Sequence, residues 1–198
     1  MDPDRRTALS GLLALPLTGF HARGRLSAWP DQLIAAARAQ IGVTTRYDGA
    51  YASLSYPYGD VPRETGVCTD VVVRAYRDAF GFDLQVAVHE DMQAAFGAYP
   101  AIWGLSRPDR NIDHRRVPNL ETFFRRRGAE RRANGWQPGD LISCRLPGNL
   151  PHIAIVSDKR GLDRQWKVIH NIGRGTEETS LIGQYADERR FRFPPPHV

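Results

Sequence analysis

The chain has 198 residues, 41% hydrophobic and 25% charged, which suits one domain with a sizeable core. Two cysteines exclude both a disulfide framework and a four-cysteine zinc site. The net charge of +5 would suit acidic partners, yet Lys159 and Lys167 are the only lysines among 27 basic residues. That arginine bias fits a GC-rich genome, no RNA-binding signature or helix-turn-helix pattern is present, and no nucleic-acid partner is expected.

The first segment, "DRRTALSGLLALPLTGF", places the Arg5-Arg6 pair before a mostly apolar run from Ala8 to Phe20. A bilayer span needs about 20 apolar residues, so this run is too short for stable membrane insertion but suits a signal-peptide core. The adjacent arginines resemble a twin-arginine export signal. Residues 1–22 are therefore expected to be a signal peptide directing the protein to the periplasm, with residues 23–198 as a single domain. The competing reading is an apolar helix packed on that domain.

"WPDQLIAAARAQIG" predicts a helix: Pro30 suits the first turn, Leu33, Ile34, Ala37 and Ile41 share a face, and Gly42 can end it. From Val43 to Thr65 a sequence rich in Tyr, Gly, Pro and Ser predicts a long ordered loop. After Cys68, three consecutive valines favour a strand, but the wider spacing favours a helix. Val72, Tyr76 and Phe80 form one stripe, Val71, Ala75 and Ala79 the next, and Gly81 provides the stop. Further helices are expected over Gln85–Phe96 and Pro118–Arg127, with an arginine-rich connection, "WGLSRPDRNIDHRRVP", between them. From Gln137 the pattern turns to strands in "QPGDLISCRL", "PHIAIVSD", "QWKVIHNIG" and a short "RFRF". Helices followed by an antiparallel sheet make the class α+β.

A cysteine at a helix N-terminus meets unpaired backbone N–H groups and the positive end of the helix dipole, both of which lower a thiol pKa. Gly66 allows a tight turn into that helix. By itself the feature favours a packed cysteine, because buried cysteines are common. A nucleophile also needs a base, and the base needs an orienting partner. His21 and His197 lie at the chain's ends, while His89 and His114 sit in charged segments whose spacing puts no two histidines on one helical face. His152 opens the buried strand "HIAIV" and His170 lies on the next strand. Together with Cys68 these two favour catalysis. Cys144, in mid-strand, reads as core; a Cys68–Cys144 disulfide would consume the nucleophile.

The order of helix, Tyr-Gly loop, cysteine-headed helix, Pro138-Gly139-Asp140-Leu141, "HIAIV" and "VIH" resembles the NlpC-type, papain-like cysteine peptidases, which cut the peptide stems of bacterial peptidoglycan. Over roughly residues 30–193 the chain more closely resembles a family of exported bacterial proteins known only as a domain of unknown function. The shared segments are "GVCTDV", "NIDHRRVPNL", "LPGNLPHI" and "VIHNIG". The NlpC resemblance implies a papain-like fold and a triad of Cys68 as nucleophile, His152 as base and His170 as orienter. It also implies that Tyr47 contacts the thiol. Asn171 is the alternative orienter, since papain-like enzymes can use asparagine, and strand alternation lets only one of the two face His152. The sequence departs from the NlpC pattern around the nucleophile, with Val67-Cys68-Thr69-Asp70 where that family has Asp-Cys-Ser-Gly.

The resulting expectation is an exported cysteine amidase or peptidase acting on peptidoglycan stem peptides, with Arg115 and Arg116 holding their carboxylates and no metal or other cofactor. Two rivals stand beside it. One is a non-catalytic wall-binding module on the same fold, and the other a metal hydrolase using His89, Asp91, Asp113 and His114. Oligomeric state is not encoded in any pattern of this sequence.

Overall fold

The computed structural model describes residues 28–195. The expected signal segment, His21 and His197 lie outside them. Helix α1 (Trp29–Arg38) starts with proline in its first turn and buries Leu33, Ile34 and Ala37. It ends one turn earlier than the periodicity predicts, so Ile41 is exposed rather than part of the buried face.

Residues 43–67 form the expected ordered loop, interrupted by two short strands, β1 (Arg46–Tyr47) and β2 (Thr65–Gly66), which pair in parallel. The loop is held from below. Arg74 of helix α2 (Cys68–Phe80) is 1% exposed and donates to Asp60, to the carbonyls of Val61 and Thr65, and to the Thr44 hydroxyl. The polar side of α2 is thus an anchor for the loop rather than a solvated face.

The bounds of α2 follow from the pattern: Val71, Val72, Ala75 and Tyr76 of the two apolar stripes are buried, Ala79 and Phe80 are partly buried, and Gly81, at φ +65°, closes the helix with its N–H bonded to the Arg77 carbonyl. Helix α3 (Leu84–Ala94) is capped by the Asp83 carboxylate, which accepts from the Gln85 N–H. It stops short of Phe96, which opens a separate 3₁₀ turn. A second 3₁₀ turn (Asp113–Arg115) leads into α4 (Val117–Arg126), again with proline in the first turn.

The six-stranded sheet comprises β3 (Glu130–Arg131), β4 (Leu141–Leu146), β5 (Leu150–Arg160), β6 (Trp166–Asn171), β7 (Thr176–Ser180) and β8 (Ala186–Phe191). Its order is β3-β8-β4-β5-β6-β7 and every pairing is antiparallel. The α+β class with an antiparallel sheet is the one the sequence predicts. Strands β3 and β7 are additions, and β8 begins before "RFRF".

Central strand β5 is buried on both faces by alternation. Ile153 and Ile155 join Val71, Val72 and Phe123 in a core between the helices and the sheet. Ala154 and Val156 join Ile142, Cys144 and Val168 in a second cluster on the sheet's other face.

Candidate functional site

Helix α2 brings Cys68 to the sheet. Gly66 makes the entry possible, because a Cβ there would stand 3.1 Å from the Arg74 guanidinium and 3.2 Å from Asp70. Asp70, one turn into the helix, accepts the Val67 N–H at 2.7 Å and so satisfies one orphan donor of the helix start. The Cys68 thiol is 4% exposed at the floor of a cleft of about 420 Å³ lined by Tyr47, Val67, Trp103, Arg116 and Pro151 among others.

Burial pushes this thiol up to about 11. The backbone N–H groups of Ile153, Thr69 and Cys68 favour the thiolate, while the Asp70 charge opposes it; desolvation outweighs the donors. The sequence predicts a lowered thiol from the helix N-terminus alone. The structure reverses the direction, because the low-dielectric surroundings cost the anion more than the helix start returns.

The Ile153 N–H at the sulfur means that Cys68 meets β5 one residue from His152. His152 is 2% exposed and pairs in register with Cys144 on β4. Its Nε2 lies 2.8 Å from Nδ1 of His170 on β6, with the rings edge to face at 5.0 Å between centroids. The Nε2 of His170 lies in turn 2.7 Å from the Thr179 hydroxyl on β7. Burial holds both imidazoles well below the ordinary histidine range, and each imidazolium would disfavour the other across so short a gap. The resting pair is therefore neutral.

Asn171 faces the other way. Its Nδ2 donates to the Gly66 carbonyl at 2.9 Å and its Oδ1 accepts the Gly173 N–H, so it ties β6 to the turn before Cys68. Tyr47 is half-exposed beside the thiol; burial, then the charges of Cys68 and Asp70, raise its phenol to about 12, with Arg115 opposing.

The two arginines differ. Arg115 is 7% exposed and bonds both Asp70 oxygens, at 2.9 and 3.0 Å, and the Asp48 and Ala50 carbonyls. Its polar groups tie the entry of α2 to the loop at Asp48 and Ala50. Arg116 lies over the Trp103 ring, 4.1 Å from its centroid, and bonds Asp113 through one nitrogen. It is the arginine with donor capacity facing the cleft.

The metal alternative finds its carboxylates engaged elsewhere. Asp91 takes the Tyr99 hydroxyl and the Arg126 guanidinium, and Asp113 takes the Asp109 N–H and Arg116. Among the described residues no group of three or more His, Cys, Asp or Glu is placed to hold a metal ion. No helix of the described residues is long and apolar enough to cross a membrane.

Two residues of the site escape sequence reading. Thr179 lies on an edge strand, "TEETS", that lacks the apolar alternation by which strands are found. Asp70 caps α2 locally, but its pairing with Arg115, 45 residues away, comes only from the tertiary fold.

What fold and site define is an α+β domain in which a thiol at a helix N-terminus sits against a strand carrying one of two hydrogen-bonded histidines. The chain belongs to the family described as a domain of unknown function, DUF1287, whose model matches residues 34–193. It is 50% identical over 161 residues to the "Uncharacterized protein YijF" of Escherichia coli (strain K12), covering 79% of this chain and 78% of that protein.

Proposed function

We propose that the protein is a papain-like cysteine amidase or peptidase of the NlpC type, acting in the periplasm on peptide stems of bacterial peptidoglycan. The observation that carries this reading is the His152–His170 hydrogen bond at 2.8 Å, one residue along β5 from the amide at the Cys68 sulfur. Nε2 of His152 is used toward His170, and this reading assigns its Nδ1 to the thiol.

Because thiol and imidazoles rest neutral, nucleophile activation accompanies attack rather than preceding it. As the Cys68 sulfur bonds to the scissile carbonyl carbon, its proton passes to His152, and the tetrahedral oxyanion is met by N–H groups of the α2 start. Collapse breaks the C–N bond, the proton leaves with the amine, and water then hydrolyses the thioester with His152 as base. His170 orients His152 throughout. Tyr47 shapes the wall beside the thiol, and Arg116, stacked on Trp103, receives a stem-peptide carboxylate, while Arg115 supports the site through Asp70. The test is incubation with purified muropeptides and mass spectrometry of the products. New amine and carboxyl termini are expected at one bond of the stem; unchanged muropeptides would contradict the proposal.

A second reading has its own observation. A thiol 4% exposed and raised to about 11 suits an inert core group, which favours a non-catalytic wall-binding module on the same cleft. Iodoacetamide near neutral pH separates the two: stoichiometric labelling of Cys68 fits the enzyme, and resistance fits the module.

Export is part of the proposal and rests on Arg5-Arg6 and the Ala8–Phe20 run. A reporter fused to the first ~30 residues should reach the periplasm, and a cytoplasmic reporter would remove this part while leaving the chemistry intact.

A further inference from the structure

We propose that Thr179 is a positioning residue whose hydroxyl oxygen fixes the tautomers of His170 and His152, leaving Nδ1 of His152 unprotonated; the link to catalysis rests on the amidase reading above. Two contacts define a chain of three groups: Thr179 Oγ1 to His170 Nε2 at 2.7 Å, and His170 Nδ1 to His152 Nε2 at 2.8 Å. Each neutral imidazole carries one N–H and one lone pair, so the chain has two proton registers.

In the first, His152 Nε2–H donates to His170 Nδ1, and His170 Nε2–H donates to the Thr179 oxygen. The Nδ1 of His152 then keeps its lone pair and can take the Cys68 proton. In the second, the Thr179 O–H donates to His170 Nε2, and His170 Nδ1–H donates to His152 Nε2. The Nδ1 of His152 then already carries its proton and cannot act as a base. The choice is made at the far end of the chain.

Two features favour the first register. Thr179 lies on edge strand β7 and is partly exposed, so its hydroxyl hydrogen can turn to solvent while a lone pair meets His170. Once His152 is protonated, both its nitrogens carry hydrogen, so the His170 N–H lies on Nε2 and again needs an acceptor at Thr179. The same arrangement thus serves the resting and the protonated base without hydroxyl reorientation. The neighbouring strand fixes the hydroxyl in place: Val168 pairs with Thr179 and His170 with Glu177, so His170 reaches Thr179 diagonally on one face.

Thr179→Val keeps the shape of the side chain and removes both lone pair and proton. The experiment is ¹⁵N NMR of the imidazole nitrogens in the full chain, alongside steady-state turnover. Wild type is expected to show His152 and His170 both as Nε2–H tautomers. Thr179→Val should move His170 toward Nδ1–H and lower kcat roughly 10- to 100-fold with KM nearly unchanged, the size that supporting hydrogen bonds to site histidines carry in metal sites. Thr179→Ser should restore both readouts.

A wild-type spectrum with His152 protonated on Nδ1 overturns the proposal without any variant. So does a Thr179→Val protein with wild-type tautomers. The tautomer readout needs no substrate, so failure of the amidase reading alone would leave the tautomer shift intact, whereas failure of the Thr179 assignment would appear in the spectrum itself.

Discussion

The two cysteines of this chain are both buried, and burial raises both thiols, Cys68 to about 11 and Cys144 to about 12. Their surroundings separate them. Cys68 heads a helix, lines a cleft, and has backbone N–H groups of Ile153 and the helix start that favour its thiolate. Cys144 lies inside β4, 0% exposed, in an apolar cluster with Ile142, Ala154 and Val156, where Glu188 and the Cys68 charge add to the effect of burial. What marks a candidate nucleophile here is neither burial nor a depressed thiol but donors aimed at the sulfur and an opening for a carbonyl carbon.

The largest effect that would sharpen this contrast is at the residue that orients the base. His170→Ala should lower turnover by about 10²–10⁴-fold, the range of positioned acid–base catalysis, with the fold intact by circular dichroism. Asn171→Ala should cost much less activity and act on stability instead, by about 0.5–1.5 kcal/mol, because the Gly66 carbonyl loses one of two donors and keeps the Asp48 N–H. The opposite ranking would mean that the strand face has been chosen wrongly.

Next is the support beneath Cys68. Arg115→Ala leaves the Asp70 carboxylate buried without its cation, so unfolding free energy should fall by about 3–5 kcal/mol in denaturant titration. A loss below about 1 kcal/mol, as for a surface pair, would show that the pair does not hold the start of α2.

The histidines give a pH signature of known sign. Their folded pKa values lie below the ordinary value of about 6.5, so between these limits the unfolded chain binds more protons than the native one. Their contribution to stability is present above pH ~6.5 and is lost as pH falls below it. Replacing both by glutamine should flatten this part of the stability profile, and a profile unchanged by the double replacement would contradict a neutral buried pair. Cys144→Ala is the smallest step: a methyl-sized void of about 1 kcal/mol, read as a small drop in Tm.

Much of this was legible residue by residue. The apolar stripes and Gly81 delimit α2, and the buried alternation of "HIAIV" places His152 in a central strand, although that strand begins two residues earlier, at Leu150. Strand parity separates His170 from Asn171, and the structure puts them on opposite duties. Illegible were features created by distant chain. β7 is polar because it is an edge, so Thr179 stayed hidden. Arg115 reads as a free cation until Asp70 lies beside it, and the direction of the Cys68 shift depends on how completely tertiary packing removes water.

The central claim, that Cys68 is the nucleophile of a peptidoglycan amidase or peptidase, is tested most directly by turnover of a stem peptide by Cys68→Ser and Cys144→Ala proteins, each confirmed as folded. The account predicts no detectable cleavage by Cys68→Ser, since a serine hydroxyl is far harder to ionise beside the same imidazole, and near wild-type turnover by Cys144→Ala. A folded, active Cys68→Ser protein would contradict it.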